Sequence, residues 1–265
     1  MILESFQIGE GQRPTVLLHG FLGTGRNLRS LATAWSEVDK SRRFLLVDLT
    51  GHGTSPRLPP GATLSTVAAD VLETARAAGL RGPLDLVGHS LGGRVSLAAS
   101  LRSPEDVASV TLLDITPSPI ASNLSESGKV MEILRAAPLS APDRKTMRAE
   151  LTGRGLSGPL ADWLVMNLEP APDGGVRWRF DRESLAEFHG RVNGEDLWAA
   201  LERPGAKVRC IRGGRAHYVS DADVARMEAL GCPVATLPEA GHFVHVDAPD
   251  ALLRWLTNAP GSGQG

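Results

Sequence analysis

A serine bracketed by glycines, a histidine near the end of the chain, and an aspartate closing an apolar run are the residues whose types and spacing can do chemistry. The serine is Ser90, in Leu84-Asp85-Leu86-Val87-Gly88-His89-Ser90-Leu91-Gly92-Gly93. An apolar, strand-like run leads into Gly-x-Ser-x-Gly, and a helical apolar pattern of Val95, Leu97, Ala98 and Leu101 follows it. That is the sequence form of a nucleophile elbow, a sharp strand-to-helix turn that pushes a hydroxyl into the open. A side chain at Gly88 or Gly92 would collide with neighbouring elements in so tight a turn.

A serine hydroxyl is a weak nucleophile at neutral pH. It needs a base within hydrogen-bond reach, and the base needs a group that fixes its tautomer. His242, in Glu239-Ala240-Gly241-His242-Phe243, follows the last strand pattern and is the best candidate base. His245 falls inside the next segment and reads as structural, and His19 and His89 read as braces for their loops. The acid is harder to place. In Gly213-Gly214-Arg215-Ala216-His217-Tyr218-Val219, Ala216 stands where a carboxylate is expected, and alanine cannot orient an imidazole. Asp114, at the end of Val110-Thr111-Leu112-Leu113, is therefore favoured over Asp221 and Asp223, which look like the start of a helix.

An oxyanion needs two preorganised N–H donors. The expected pair is the backbone amides of Leu91 and of Phe21, the latter in His19-Gly20-Phe21-Leu22-Gly23. Phe21, Trp163, His217 and Phe243 are the candidate substrate contacts; for the two phenylalanine side chains, plain packing competes with that role. Asp48-Leu49-Thr50-Gly51-His52-Gly53-Thr54-Ser55 reads as a tight hydrogen-bonded loop with a structural role.

The elements that must hold these groups are short apolar runs ending in Gly or Asp. They lie at 15–18, 44–47, 84–87, 110–113, 208–211 and 234–237. Continuous rather than alternating apolar runs are what parallel strands covered on both faces require. Helical patterns between them, such as 66–78 and 221–230, supply the crossovers. The expected fold is α/β, a mostly parallel sheet flanked by helices, with functional groups at the carboxyl ends of its strands. From 117 to 201 the rhythm breaks into helical patterns at 129–136, 161–167 and 182–188, which reads as a helical lid inserted into a core of 1–116 and 202–257. Trp163, Trp178 and Trp198 lie in this lid, with Trp178 and Phe180 on a short extended piece. Residues 258–265 read as a disordered tail.

The bulk composition narrows the function. The 265 residues are 42% apolar and 22% charged with a net charge of −2, which argues against a general electrostatic grip on nucleic acid. Arg42-Arg43 and Arg144-Lys145 read as solvated faces. Cys210 and Cys232 form neither a disulfide framework nor a metal cluster, so no metal is expected. No leader or membrane span is visible, and the expected location is cytoplasmic.

The chain resembles the α/β-hydrolase superfamily over residues 1–257. The resemblance rests on His19 to Gly23, Asp48 to Ser55, Gly88 to Gly93 and Gly241-His242. It implies a sheet of the eight-stranded type. Within the superfamily the chain is similar to the YbfF-like small serine esterases and thioesterases. The shared segments are Leu113-Asp114-Ile115-Thr116-Pro117, the lid run Trp163-Leu164-Val165-Met166-Asn167-Leu168, and Gly213 to Val219, where this chain has Ala216 in place of the group's serine. That resemblance implies a Ser90–His242–Asp114 triad without an assisting hydroxyl, a small-molecule ester or thioester substrate, and no cofactor. The expectation is thus a serine carboxylesterase for short- to medium-chain acyl esters. The alternatives are a C–C bond hydrolase, a lyase or a perhydrolase on the same triad, or a ligand-binding protein that keeps the fold.

Overall fold

The computed structural model describes residues 1–120, 126–203 and 205–258; of the tail expected at 258–265, Asn258 ends a helix and the rest lies outside the described residues. Seven strands form the main sheet: β1 (Ser5–Ile8), β2 (Arg13–Leu18), β3 (Arg42–Val47), β4 (Leu84–His89), β5 (Val107–Leu113), β9 (Lys207–Gly213) and β10 (Val234–Leu237). Their spatial order is β1-β3-β2-β4-β5-β9-β10. All neighbours are parallel except β1, which runs antiparallel to β3 at the edge. The described residues thus carry one strand fewer than the eight-stranded type. Six of the seven grow from the apolar runs of the sequence; β1 is half-buried Ser-Phe-Gln-Ile and lacks such a run.

Two hydrophobic layers cover the sheet. On one face, α1 (Arg29–Val38) and α11 (Pro249–Asn258) pack through Leu31, Trp35, Leu252 and Leu256 onto Leu17, Phe44, Leu46, Val87, Leu113 and Ile211. On the other, α2 (Leu64–Ala77), α3 (Leu91–Arg102) and α9 (Asp221–Ala229) share a larger core with the lid. Thr63 caps α2 by accepting from the Thr66 amide, and Ser220 caps α9 by accepting from Asp223.

The stretch 117–201 holds α4 (Glu126–Ala136), α5 (Arg144–Gly153), α6 (Gly158–Leu164), α7 (Arg182–Asn193) and α8 (Ala199–Glu202). It also builds a small antiparallel sheet from β6 (Ser140–Ala141), β7 (Leu168–Pro170) and β8 (Val176–Trp178), in the order β6-β8-β7; Trp178 lies on β8, as the expected extended piece, Phe180 lies just past it, and β6 and β7 were not expected. Trp178 and Trp198 are buried in packing, whereas Trp163 is only half-buried. Arg94, one turn after Ser90 on α3, is 1% exposed and donates to the carbonyls of Thr116, Ser118, Val192 and Glu195. It therefore ties α3 to both ends of the 117–201 stretch.

Arg42 corrects the sequence reading. It is not on a solvated face but 3% exposed, bonded to Asp39, Asp85 and Thr15, with its guanidinium 4.6 Å from the Trp35 ring. Arg144 is exposed but caps the Val165 and Leu168 carbonyls of the lid. No helix among the described residues is long and apolar enough to cross a membrane.

Candidate active site

The site starts from a register. His89 of β4 pairs with Leu113 of β5, so Ser90 and Asp114 leave the sheet side by side at its carboxyl edge. Both residues are held in left-handed backbone, at φ 51° each, and Leu22 is at φ 60°. These three are the only non-glycine residues with positive φ among the described residues. Such strain costs of order 1–3 kcal/mol per residue and persists where the surrounding structure over-determines it. Around Ser90 the glycines do this. A Cβ on Gly88 would lie 2.2 Å from the Gly92 carbonyl, and one on Gly92 would lie 2.3 Å from the Leu18 oxygen.

Asp114 is fully buried. Its Oδ1 accepts from the Gly213 amide at 2.8 Å, and its Oδ2 accepts from His242 Nδ1 at 2.7 Å. Proton on Nδ1, the other imidazole nitrogen of His242 is free to accept. Gly213 allows this approach, since a Cβ there would meet the Gly241 oxygen at 2.2 Å. Neither competing aspartate makes such a bond: Asp221 pairs with Arg212, and Asp223 is bonded to Ser118 and Ser220.

The neighbouring imidazoles act as braces. Leu49 N–H donates to His19 Nε2 at 2.9 Å, so His19 carries its proton on Nδ1 and donates to Gly20 O at 2.7 Å. Burial lowers the pKa of His19 to about 4. His89 donates from Nε2 to the His242 carbonyl at 2.9 Å; burial, with the His242 and His245 rings beside it, pushes its pKa well down. His245 is likewise lowered to about 4, mainly by burial.

The loop bearing Phe21 closes over Ser90 because Gly20 has no side chain: a Cβ there would lie 2.7 Å from His89 Nδ1 and 3.3 Å from Ser90 Cβ. From the 117–201 stretch, Asn167 Nδ2 donates to Leu22 O at 3.0 Å and holds the loop's strained residue. The Asp48 to Ser55 segment is the tight loop expected: Asp48 accepts from the Gly25 and Thr54 amides, and a Cβ on Gly53 would overlap the Asp48 carboxylate.

Phe21, Ser90, Trp163, Tyr218, His242 and Phe243 line one cleft, which encloses about 120 Å³. Val130 and Leu160 of the lid complete its apolar wall, and no Lys or Arg lines it among the described residues. Trp163 and Phe243 meet edge to face at 6.1 Å. Leu91 is buried beneath, at the first turn of α3. His217 departs from its expected place: it lines a separate groove on the far side of His242, together with Ala216 and Thr116. The cleft takes Tyr218 instead, whose ring stacks on His242 with centroids 3.9 Å apart and planes at 25°. Tyr218 and Asn167 were missed because a lone tyrosine or asparagine carries no spacing signal.

A model of the alpha/beta hydrolase family matches residues 15–255. The chain belongs to the alpha/beta hydrolase family. Among curated relatives, the hydrolase is 28% identical to the sn-1-specific diacylglycerol lipase ABHD11 of Mus musculus, over 94% of this chain and 82% of that one. It is 26% identical to esterase YbfF of Escherichia coli, over 91% of this chain and 90% of the relative. A crystal structure of E-2-(acetamidomethylene)succinate hydrolase superposes with a TM-score of 0.79 at 27% identity, covering 97% of this chain and 94% of that one. Its relatives are esterases, lipases and other hydrolases, and this hydrolase is an enzyme of that class.

Proposed function

We propose that this hydrolase is a serine carboxylesterase acting on short- to medium-chain acyl esters, with residues 117–201 as its lid. The observation that carries the reading is the Asp114–His242 bond at 2.7 Å beside a strained, partly exposed Ser90 in one apolar cleft. Ser90 Oγ attacks the ester carbonyl while His242 takes its proton. The backbone amides of Phe21 and Leu91 hold the oxyanion. The tetrahedral intermediate collapses, His242 protonates the departing alcohol, and an acyl-Ser90 ester remains. Water, deprotonated by His242, then attacks that ester; the Ser90–acyl bond breaks, His242 returns the proton to Ser90 Oγ, and the acid leaves. Asp114 keeps the imidazole in the right tautomer and stabilises its charged form.

The absence of Lys and Arg from the described cleft lining favours an uncharged acyl group. A succinate, as named in the third relative, carries carboxylates that call for cationic partners. Hydrolysis of aryl esters from acetate to laurate tests the reading, with Ser90→Ala as the control. A chain-length optimum at short or medium acyl groups, lost by several decades in the mutant, is expected. No turnover on any ester would reject it and direct attention to thioesters and diketones.

A further inference from the structure

The buried Arg42 belongs to a second cavity, at the opposite end of the same sheet. On the face covered by α1 and α11, Leu17, Phe44, Val87, Leu113 and Ile211 are core residues. Two residues earlier on each of these strands, hence on the same face, stand Thr15, Arg42, Asp85, Thr111 and Arg209. Five neighbouring strands thus each place a polar group on this face two residues before the core layer, forming a floor in which Thr15, Arg42, Asp85 and Thr111 are all under a tenth exposed. Above it lies a cavity of about 560 Å³.

Its charge is unbalanced. Arg13, Arg42, Arg203, Lys207 and Arg209 line it against one carboxylate, Asp85. Asp85 is already saturated: Arg13 Nε and Arg42 Nη1 donate to its Oδ2, each at 2.8 Å, and Ser109 donates to its Oδ1. Arg42 takes Asp39 as a second partner. Arg209 has no carboxylate bonded to it. Its Nε donates to Thr111 Oγ1 at 2.9 Å and its guanidinium lies 4.7 Å from the Trp255 ring, while its terminal nitrogens take no protein hydrogen bond among the described residues. Burial, with Arg42 and Arg13 nearby, lowers the pKa of Arg209 to about 10, so it is still charged at neutral pH. A fork of donors, held flat by an aromatic ring and facing a cavity, suits an oxyanion with several acceptor oxygens.

We propose that this cavity binds a small phosphate-bearing molecule, with Arg209 and Lys207 as its principal contacts. The phosphate supplies the counter-charge that Arg203, Lys207 and Arg209 lack, since Arg13 and Arg42 are already paired with Asp85. The site is separate from the active site: Asp85 opens β4 and Ser90 follows its other end, about 16 Å away at the usual strand rise.

Isothermal titration calorimetry on the full chain at low ionic strength tests this, with inorganic pyrophosphate as the first probe. Inorganic phosphate and adenosine monophosphate form parallel arms, and sodium chloride at matched ionic strength is the background. Saturable one-to-one pyrophosphate binding is expected, weakened at least tenfold in Arg209→Gln and in Lys207→Glu and unchanged in Ser90→Ala. Tighter binding of adenosine monophosphate than of inorganic phosphate would assign a phosphate ester, and the reverse order would assign free phosphate. Heats indistinguishable from chloride, or wild-type affinity in both charge variants, would overturn the site. Should Arg209→Gln lose its cooperative thermal transition, Lys207→Glu decides alone, because that side chain is exposed. The result stands or falls independently of the esterase assignment, since no arm reads turnover.

Discussion

Two buried aspartates on neighbouring strands live in opposite surroundings. Asp114, just past the carboxyl end of β5, is bonded to one backbone amide and one imidazole, beside an open cleft without Lys or Arg. Asp85, at the amino end of β4, is bonded to two arginines and a serine. Burial alone would raise the Asp85 pKa, but the Ser109 and Arg42 hydrogen bonds and the arginine charges hold it below the ordinary range. The same carboxylate is thus locked as a counter-ion at one end of the sheet and bonded to a single imidazole N–H at the other. What separates them is the partner: guanidinium stays charged at any working pH, whereas imidazole gives and takes a proton near neutrality.

Exchanging each carboxylate for an amide tests that contrast most severely. Asp114→Asn is expected to cut kcat by about four decades, as when a triad aspartate loses its charge. Asp85→Asn is expected to leave kcat/KM within a few-fold but to lose roughly 3–5 kcal/mol in urea unfolding, because buried arginines lose their counter-charge. If Asp85→Asn matched the kinetic loss of Asp114→Asn, the division between the two ends would fail.

Gly92→Ala probes the strain at the carboxyl end. With its Cβ 2.3 Å from Leu18 O, the elbow must shift, and a loss of at least about a hundredfold in turnover is expected, since even a 1 Å misplacement costs that much. Wild-type kinetics in Gly92→Ala would show that the turn tolerates displacement. Arg94→Met comes next. It strips the donors from four carbonyls at the ends of the lid, and roughly 2–4 kcal/mol of stability should go with them. An unchanged melting temperature would show that the clasp contributes nothing.

A further effect is graded with pH. His19, His189 and His245 have pKa values lowered to about 4, and His52 to about 3, in each case chiefly by burial. The unfolded chain takes up protons below about pH 6.5 while the folded one does not, so stability is fully present above that value. It is lost as pH falls from about 6.5 toward 4, by up to about 1.4 kcal/mol per pH unit for each ring. Calorimetric melting from pH 7.5 to 5 should show the decline. Hydrogen exchange should place the first opening at the carboxyl edge, where His19 and His245 line the cleft, and not around Asp85, which stays ionised to lower pH.

Much of this architecture was legible in the chain. Parallel strands sealed on both faces must be continuously apolar, so six of the seven announced themselves. The elbow was legible because glycine is the only residue that fits where a Cβ would lie 2.3 Å or less from a neighbouring backbone. Asp114 stood out through an absence, the alanine at 216. The edge strand β1 was hidden because it is half-buried, and the small lid sheet because strands of two or three residues carry no periodicity. His217 and Tyr218 were confused because adjacent loop residues have nothing in sequence to say which side each faces. Arg42 was misread as solvated because a basic pair looks the same whether water or Asp85 lies opposite.

Local sequence, then, determined the sheet and the elbow turn that carries Ser90, since these depend on backbone conformation and on continuous apolar runs within single segments. The tertiary structure alone decided that Tyr218 stacks on His242 and that cations from β2, β3 and β9 gather around one carboxylate. Those facts depend on register between strands far apart in the chain, and the energy of a charge is set by what register puts within a few ångströms of it.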